Sequence, residues 1–249
     1  MHGLEPTSKL IIEEAQRRGI AVEILAPRAE YFRLRHSGRM LLCRESLSEL
    51  ATGVAVSRCD DQHITWRMLH AAGLPVPAQM GAASEAQNTA FLREHGCVVV
   101  KPMRRGHPDA CTAGVVSEAQ LAEAITRAAA AGSGVLIEQQ VEGLALHVVV
   151  IGDRVAAATV REPSDGSAAD RQRDVTDGLA FEIREAACRA ARALELPVLD
   201  LSMRVSSVHD NGPHYLVDVD ERPELAAYAE QPTAARFLDL LFPETATKH

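Results

Sequence analysis

Residues 214–220, His-Tyr-Leu-Val-Asp-Val-Asp, decide the fold, together with the turn Asp210-Asn211-Gly212 that precedes them. An Asp-Asn-Gly turn between two alternating apolar runs predicts a β-hairpin. Side chains two apart share a face of a strand, so Asp218 and Asp220 point the same way, and Asp200 faces them from the partner strand. Three converging carboxylates suit Mg²⁺, which prefers a few carboxylate oxygens with phosphate oxygens. A solvated face of an edge hairpin is the alternative that the pattern leaves open.

A second stretch, Cys97-Val98-Val99-Val100-Lys101-Pro102, carries a lysine at the end of a buried strand. A lysine in this place can hold a phosphate as a point charge. Most lysines are exposed and inert. The other interpretation of Lys101 is therefore a solvent-exposed residue that ends the strand and has no functional role.

Two further groups lie at strand ends. Glu138 follows the apolar run 135–137 and faces either a cleft or water, and the backbone of Gln139, Gln140 and Val141 could meet an adenine edge. Arg161 ends another strand, where a guanidinium could bind a phosphate or a carboxylate in bidentate fashion. An equally good interpretation of Arg161 is a surface arginine that buries the aliphatic part of its side chain and keeps the guanidinium in water.

Composition excludes several functional classes. The 249 residues carry a net charge of −8 with 47% hydrophobic residues, which is enough apolar content for a sizeable core. No basic stripe is present, so nucleic acid is not expected as a partner. The five cysteines have no metal-ligand spacing and predict buried free thiols in a reducing cytoplasm. No signal peptide and no membrane-spanning window is found, so we expect a cytoplasmic protein without a membrane partner.

The order of predicted elements is mixed, with hairpins near both ends of the chain, and this argues for α+β layers. Residues 162–176 are polar without an apolar period and are predicted to form a mobile loop. The helices are predicted at 8–19, 60–72, 84–95, 117–131, 177–194 and 233–241.

Taken in order, several segments resemble the ATP-grasp superfamily. Residues 57–77 look like the helix that opens the ATP-binding region, and 98–102 like the strand with the phosphate lysine. Residues 135–151 are similar to the adenine-binding hinge, and 155–161 to the strand with the phosphate arginine. The resemblance covers about residues 8–243.

Within the superfamily, the sequence is most similar to the ligase part of N-acetylglutaminylglutamine synthetase. Residues 44–50, 174–177 and 231–237 carry this likeness. Cyanophycin synthetase and bifunctional glutathione synthetase are more distant.

The resemblance implies an ATP-grasp fold of class α+β, in which a small lid subdomain closes over a mixed or antiparallel sheet. It divides the chain into an amino-terminal portion (1–77), a lid (78–154) and a carboxy-terminal portion with the metal site (155–249). It implies a ligase that joins an amino-acid or small-peptide carboxylate to an amine through an acyl phosphate, using ATP and Mg²⁺. The sequence does not set the oligomeric state, and a homodimer is one option.

The roles implied by the resemblance fall into three groups. They are catalysis by Lys101 and Arg161; nucleotide binding by Lys101, Glu138, Gln139, Gln140 and Val141; and metal binding by Asp200, Asp218 and Asp220.

The chain departs from the superfamily pattern on the nucleotide side. Gln62 stands where a second lysine is usual, residues 104–114 replace a glycine-rich loop, and Ala145 and His147 replace a ribose-binding acid and a nearby arginine. A charged hydrogen bond contributes about 1.5 to 3 kcal/mol, so these changes together could weaken ATP binding by several kcal/mol. A second hypothesis is therefore a degenerate, non-catalytic ATP-grasp binding module.

Overall fold

Short alternating segments separated by turns build three antiparallel sheets, seen in a computed structural model of the chain. The structure describes residues 3–162, 171–228 and 230–246. The helices are α1 (Pro6–Arg17), α2 (Gly53–Asp60), α3 (Gln62–Ala71), α4 (Glu85–His95), α5 (Glu118–Ala129), α6 (Phe181–Leu194) and α7 (Thr233–Leu241).

The strands fall into three groups along the chain. The first is β1 (Ala21–Ala26), β2 (Tyr31–His36), β3 (Arg39–Arg44) and β4 (Leu47–Ser48). The second is β5 (Gln79–Gly81), β6 (Val98–Pro102), β7 (Thr112–Val115) and β8 (Val135–Gln139). The third is β9 (Leu144–Ile151), β10 (Arg154–Glu162), β11 (Arg171–Asp174), β12 (Val198–Val205) and β13 (His214–Asp220).

The third group forms a five-stranded sheet in the order β11-β10-β9-β12-β13, and its two faces differ in character. On one face, buried residues such as Val148, Leu201 and Val219 pack with Ile183 and Ala187 of α6 in one apolar core. Alternation along the strands places polar side chains on the opposite face. That face is polar at one end only, because its other end is apolar and packs in a second core.

The second group forms the smaller sheet, β5-β8-β6-β7, which we call the lid sheet. The apolar residues Leu92 of α4 and Leu121 of α5 pack with Val98 and Val100 of β6 in a separate core. Ser84 caps α4 with a capping box completed by Gln87, so this helix begins where the sequence predicts. The lid sheet thus has a core of its own.

The amino-terminal sheet, β1-β2-β3-β4, shares a core with α1 and α7. Phe32 and Leu34 on β2 pack in the same cluster as Ile12 of α1 and Phe237 of α7, all fully buried. This cluster also takes in Val149 of β9, so the amino-terminal sheet packs on one end of the five-stranded sheet.

Several expectations need correction. The first helix begins at Pro6 after the N-cap Glu5, so Ser8 lies inside α1 and is buried. Residues 171–174 pair with β10 as strand β11 and do not form a loop; residues 163–170 of the expected loop lie outside the described residues. The proposed division into domains stays a prediction, but β9 pairs with β10 and β12, so it joins the five-stranded sheet and not the lid.

Candidate functional site

A cleft of about 560 Å³ lies between the lid sheet and β13. This volume is in the range of small-molecule and cofactor sites. Its walls bring together most of the residues expected on the nucleotide side, namely Lys101, Glu138, Gln139, Gln140 and Val141, with Asp218 on the opposite wall.

Lys101 reaches the cleft from the end of β6 and is 9% exposed. Its ammonium group lies 3.0 Å from a carboxylate oxygen of Glu138, which is 5% exposed. The amide of Gln79 donates a second hydrogen bond of 2.7 Å to Glu138. A buried charge needs a partner, and this pair holds a cation at the bottom of the cleft.

The hinge after β8 positions three further expected residues. The backbone N–H groups of Gln139 and Gln140 donate to the carbonyl oxygens of Ala78 and Cys97, at 2.8 and 3.0 Å respectively. These two amides hold the hinge to the lid sheet, which leaves the Val141 amide as the candidate for an adenine edge.

Gly143 joins this hinge to β9 in a crowded place. Its φ is +134°, and a Cβ there would lie 2.7 Å from the carbonyl oxygen of Val205. Only glycine fits such an approach of two backbones.

Asp200 and Asp220 lie directly opposite each other in the ladder between β12 and β13. Side chains of such a pair have Cβ atoms about 5 Å apart on one face. The Tyr228 hydroxyl donates to Asp200 Oδ2 at 2.7 Å, and His147 Nδ1 lies 3.5 Å from the same oxygen. Burial, with the nearby charge of Asp200, raises the pKa of Tyr228 well above its usual range, so Tyr228 stays a donor.

Asp218 shares this face but is engaged elsewhere. It accepts a short hydrogen bond from Arg105, which belongs to the segment 104–114 on the lid side of the cleft. Within the described residues, no three His, Cys, Asp or Glu side chains stand together as ligands of one metal ion. The metal role of the three aspartates therefore stays a prediction.

Arg161 lies apart from the cleft. It sits on β10 opposite Ala145 of β9, and Ala145 is in turn opposite Arg204 of β12. With strands about 5 Å apart, Arg161 and Arg204 are about 10 Å apart on the polar face. Arg204 lines the cleft, whereas Arg161 is exposed and is not among the residues that line it.

Sequence reasoning missed three cations of the cleft, Arg104, Arg105 and Arg204. Arg204 could have been found from the same alternation that placed Asp200, because positions 200 and 204 share a face. Arg105 carries no such signal, since its position depends on how segment 104–114 folds over the cleft. Part of this placement comes from a bridge between Asp61 and Arg104.

Along the described residues, no helix has both the length and the apolar character needed to cross a membrane.

Comparison with known proteins agrees with this architecture. No family model matches the chain. It is 32% identical over 188 residues to a D-alanine–D-alanine ligase of Xanthomonas axonopodis pv. citri (strain 306), covering 68% of this chain and 58% of the ligase.

Solved structures give a longer match. A bifunctional glutathione synthetase from Pasteurella multocida superposes on 97% of this chain and 44% of its own, with a TM-score of 0.73 and 15% identity. The ATP-grasp ligase PsnB, complexed with minimal precursor, Mg and ADP, covers 78% of this chain and 60% of its own, with a TM-score of 0.62 and 20% identity. The chain thus spans between 44% and 60% of the length of these relatives. On the sheets and cleft described above, together with these likenesses, the protein has the fold of the ATP-grasp superfamily.

Proposed function

We propose that the protein is an ATP-dependent carboxylate–amine ligase that works through an acyl phosphate. The observation that carries this proposal is the cleft itself, in which a buried lysine and a hinge backbone face an acidic strand. D-alanine–D-alanine ligase and glutathione synthetase, the relatives named above, support a reaction that joins amino acids or peptides.

The lysine and arginines that line the cleft among the described residues are Lys101, Arg104, Arg105 and Arg204. Positive groups around one cavity can neutralise a triphosphate, and in phosphoryl transfer the main task of the protein is to position groups and stabilise charge. Arg105 is paired with Asp218 in this structure, so we infer that it exchanges this carboxylate for a phosphate when nucleotide binds.

The fold family implies Mg²⁺, and the donor set fits it. Asp200 Oδ1 is buried and has no hydrogen-bond partner among the described residues, and Asp220 stands opposite it. Hard carboxylate oxygens of this kind are the protein ligands that Mg²⁺ prefers. Asp200 and Asp220, joined by Asp218, would hold the ion, which would neutralise charge on the phosphates.

The chemistry then follows in two steps. The substrate carboxylate attacks the γ-phosphorus of ATP, the bond to the β-phosphate oxygen breaks, and ADP leaves. The amine attacks the acyl carbon and loses a proton, and inorganic phosphate departs as the amide forms. The chain's own residues position the groups and stabilise charge in both steps.

For the substrates, we propose an amino-acid or small-peptide carboxylate and the amine of a second amino acid. Residues 44–50, 174–177 and 231–237 resemble N-acetylglutaminylglutamine synthetase. This likeness supports an N-acylated glutamine as the carboxylate substrate. We also propose a cytoplasmic location and a homodimer.

The test is a coupled assay of ADP release with Mg-ATP and pairs of acids and amines, including N-acetylglutamine with glutamine amide. ADP should appear in quantity only when both partners are present, and mass spectrometry should find the amide. Lys101→Met should lower kcat/KM at least tenfold, because a charge on the phosphate is lost. Arg93→Gln, an exposed lid residue, is the control that should leave the rate unchanged. ADP release that ignores both acid and amine would contradict ligation.

A non-catalytic binding module is the second candidate, and one observation favours it. Gln62 lines the cleft where a second lysine is usual, and its amide donates to the Pro102 carbonyl at 3.0 Å. A module of this kind would bind no Mg-ATP and release no ADP with any pair of substrates.

A further inference from the structure

A line of hydrogen bonds runs from helix α3 to Lys101 at the bottom of the cleft. His63 Nδ1 lies 3.1 Å from Gln79 Oε1, and the Gln79 amide nitrogen donates to Glu138 Oε2 at 2.7 Å. Lys101 donates to the other carboxylate oxygen, Glu138 Oε1, at 3.0 Å. Lys101 and Glu138 line the nucleotide cleft, whereas His63 is not among its described lining residues. His63 therefore reaches the cleft through Gln79 and Glu138.

The register of the lid sheet brings three of these side chains together. Gln79 of β5 lies directly opposite Glu138 of β8. On the other side of β8, Glu138 is opposite Val99 of β6, and Lys101 lies two residues further along that strand. Residues two apart share a face of a strand, and long side chains reach such a diagonal partner. The Glu138 carboxylate is thus approached by an amide from one neighbouring strand and by an ammonium group from the other.

The direction of every bond in this line follows from its acceptors. A carboxylate paired with an ammonium group accepts hydrogen bonds and donates none, so the nitrogen of the Gln79 amide faces Glu138. The amide oxygen then faces His63, and this oxygen also accepts hydrogen bonds and donates none. The proton between the two side chains must therefore be carried by His63 Nδ1. In the neutral ring, which has one N–H group, Nε2 is left without a proton.

The imidazole ring of His63 is held on the side of the five-stranded sheet. His63 is the second residue of α3, and its backbone N–H donates to Asp61 Oδ1 at 3.0 Å. Its ring stacks on Trp66 with 6.1 Å between ring centroids and 7° between planes, and the Trp66 indole donates to the Pro77 carbonyl at 2.6 Å. Leu69 of the same helix packs in the core of the five-stranded sheet. The line of bonds thus begins on a helix outside the lid sheet and ends on a lid strand.

Lys101 depends on Glu138 for its position. A lysine ammonium group is a point charge on a flexible stem, so its place is set by the counter-ion that it meets. Gln79 and Lys101 use one oxygen each of the Glu138 carboxylate, and this fixes the rotation of that carboxylate. A group already held in its working position loses less freedom when a ligand binds. Lys101 held in this way needs little reordering to meet a phosphate.

We propose that His63 is a positioning residue, which acts through Gln79 and Glu138 to hold Lys101 where it meets the phosphates of the nucleotide. The contact of Lys101 with phosphate rests on the proposed function, whereas the link from His63 to Lys101 does not. What His63 supplies is a hydrogen bond donated from Nδ1, without transfer of its proton.

The lysine NMR spectrum of the whole protein tests the link directly, because the chain has three lysines, Lys9, Lys101 and Lys248. In protein that carries isotope-labelled lysine, the Lys101 signals are those that Lys101→Arg removes. We expect His63→Ala and Gln79→Met each to shift the Lys101 Cε and Nζ signals in the absence of nucleotide. Lys101 signals that stay the same in both variants would overturn the proposal.

Two further variants separate the hydrogen bond from the packing of α3. His63→Asn, whose amide can donate from about the place of Nδ1, should return the Lys101 signals most of the way to their wild-type positions. His70→Ala is the matched control, since His70 is an exposed residue of α3 that also stacks on Trp66. It should leave the Lys101 signals unchanged. Equal shifts in His70→Ala and His63→Ala would mean that stacking on Trp66, and not the donated bond, holds Lys101.

The histidine spectrum tests the direction of the bonds. A correlation of ring nitrogens with ring protons, recorded for the neutral ring with isotope-labelled histidine, distinguishes the two tautomers. We expect the proton of neutral His63 on Nδ1, and a change towards the Nε2–H form in Gln79→Met. The signals of His63 are identified by their loss in His63→Asn. A neutral His63 that carries its proton on Nε2 in the wild type would contradict the assigned line of bonds.

Steady-state kinetics measure the effect on the nucleotide. We expect His63→Ala to raise the KM for ATP about two- to tenfold, the factor that one hydrogen bond between neutral groups is worth, while kcat changes less than about twofold. His63→Asn should recover most of the wild-type KM. Damage to the fold alone would lower kcat through a smaller active fraction and leave the KM for ATP unchanged.

The ligase proposal and the positioning proposal fail in different ways. If ligation proceeds and the KM for ATP is the same in His63→Ala as in the wild type, the positioning role is wrong and the ligase proposal stands. If the wild type binds no Mg-ATP, the ligase proposal fails, and the lysine spectrum alone decides whether His63 holds Lys101. Shifted Lys101 signals would then support the link, and unshifted signals would overturn it.

Discussion

Lys101 and Glu138 form an ion pair whose side chains are 11% and 7% exposed. Removing one partner of such a pair leaves the other charge buried, at a cost of about 3 to 5 kcal/mol. We predict that Lys101→Met lowers the free energy of unfolding by about 3 kcal/mol, measured by urea denaturation without nucleotide. The double variant Lys101→Met/Glu138→Gln should recover part of this loss. A change of less than about 0.5 kcal/mol, the size usual for surface substitutions, would mean that the pair is not buried in solution.

The thiols provide a pH-dependent prediction. Burial, with the charge of Glu49, raises the pKa of Cys43 to about 12, and burial raises that of Cys59 to about 11. The thiolate is the reactive form, so both buried thiols should resist a disulfide reagent at pH 8. Cys111 is exposed, contrary to the sequence prediction of buried thiols, and should react before them because the reagent reaches it, even though partial burial raises its pKa as well. Mass spectrometry of the labelled protein checks the order, with Cys111→Ser as the control.

The same pKa shifts affect stability. Unfolded cysteines ionise near pH 9, and the folded ones stay protonated until about pH 11 to 12. The thiol contribution is therefore complete below pH 9 and is lost as the pH rises from 9 towards 12. A fast reaction of Cys43 in the folded protein would contradict this account.

At the residue scale, sequence reasoning located Lys101 and the aspartates because short-range rules apply to them. A buried strand followed by Lys-Pro, and acids two apart on a strand, are local patterns. The pairing of Lys101 with Glu138 joins β6 to β8 through the register of the lid sheet, and the hydrogen bond that Asp200 Oδ2 accepts comes from the distant Tyr228. Neither relation has a local signal.

Among the elements, Arg18 links the first and last helices. Its side chain is 4% exposed, and it bonds Glu14 at 2.7 Å, Asp239 at 2.7 Å and the Ala235 carbonyl at 2.9 Å. Arg18→Ala should lower the free energy of unfolding by about 2 to 3 kcal/mol, because charged hydrogen bonds are lost in a buried place. Chemical denaturation measures this.

Arg17 is the matched control. It also bonds Glu14, but its side chain is 60% exposed, and exposed ion pairs contribute about 0 to 1 kcal/mol. Arg17→Ala should therefore leave the free energy of unfolding nearly unchanged. Equal losses for the two variants would show that α1 and α7 are not joined through Arg18.

The elements themselves were predictable where local signals were strong. The β12–β13 hairpin and the capped helix α3, whose N-cap Asp61 accepts from two backbone amides, appear where the sequence places them. Helix α2 was not predicted, because its first residue, Gly53, and the two valines that it contains are poor helix formers. Its Thr52 cap and the burial of Ala55 and Cys59 stabilise it. Tertiary packing thus outweighs propensity here.

For the whole molecule, the cleft between the lid sheet and the five-stranded sheet is the feature that depends most on the fold. Arg105 reaches across it to Asp218, and this ion pair joins the lid side of the cleft to the five-stranded sheet. The order of segments and the resemblance predicted the fold and Lys101, but not the arginines of the cleft. The positions of Arg104 and Arg105 depend on the path of residues 104–114, for which the sequence carries no local signal.

The central claim is that this cleft binds Mg-ATP, and a melting curve tests it most directly. A ligand at about 100 times its Kd stabilises the folded state by about 2.7 kcal/mol, which corresponds to a rise in Tm of roughly 5 to 10 °C for a chain of this size. We predict such a rise with Mg-ATP over magnesium chloride alone, and a rise less than half as large for Lys101→Met relative to its own unliganded Tm. Identical melting curves with and without saturating Mg-ATP would contradict the claim and leave the non-catalytic module as the better account.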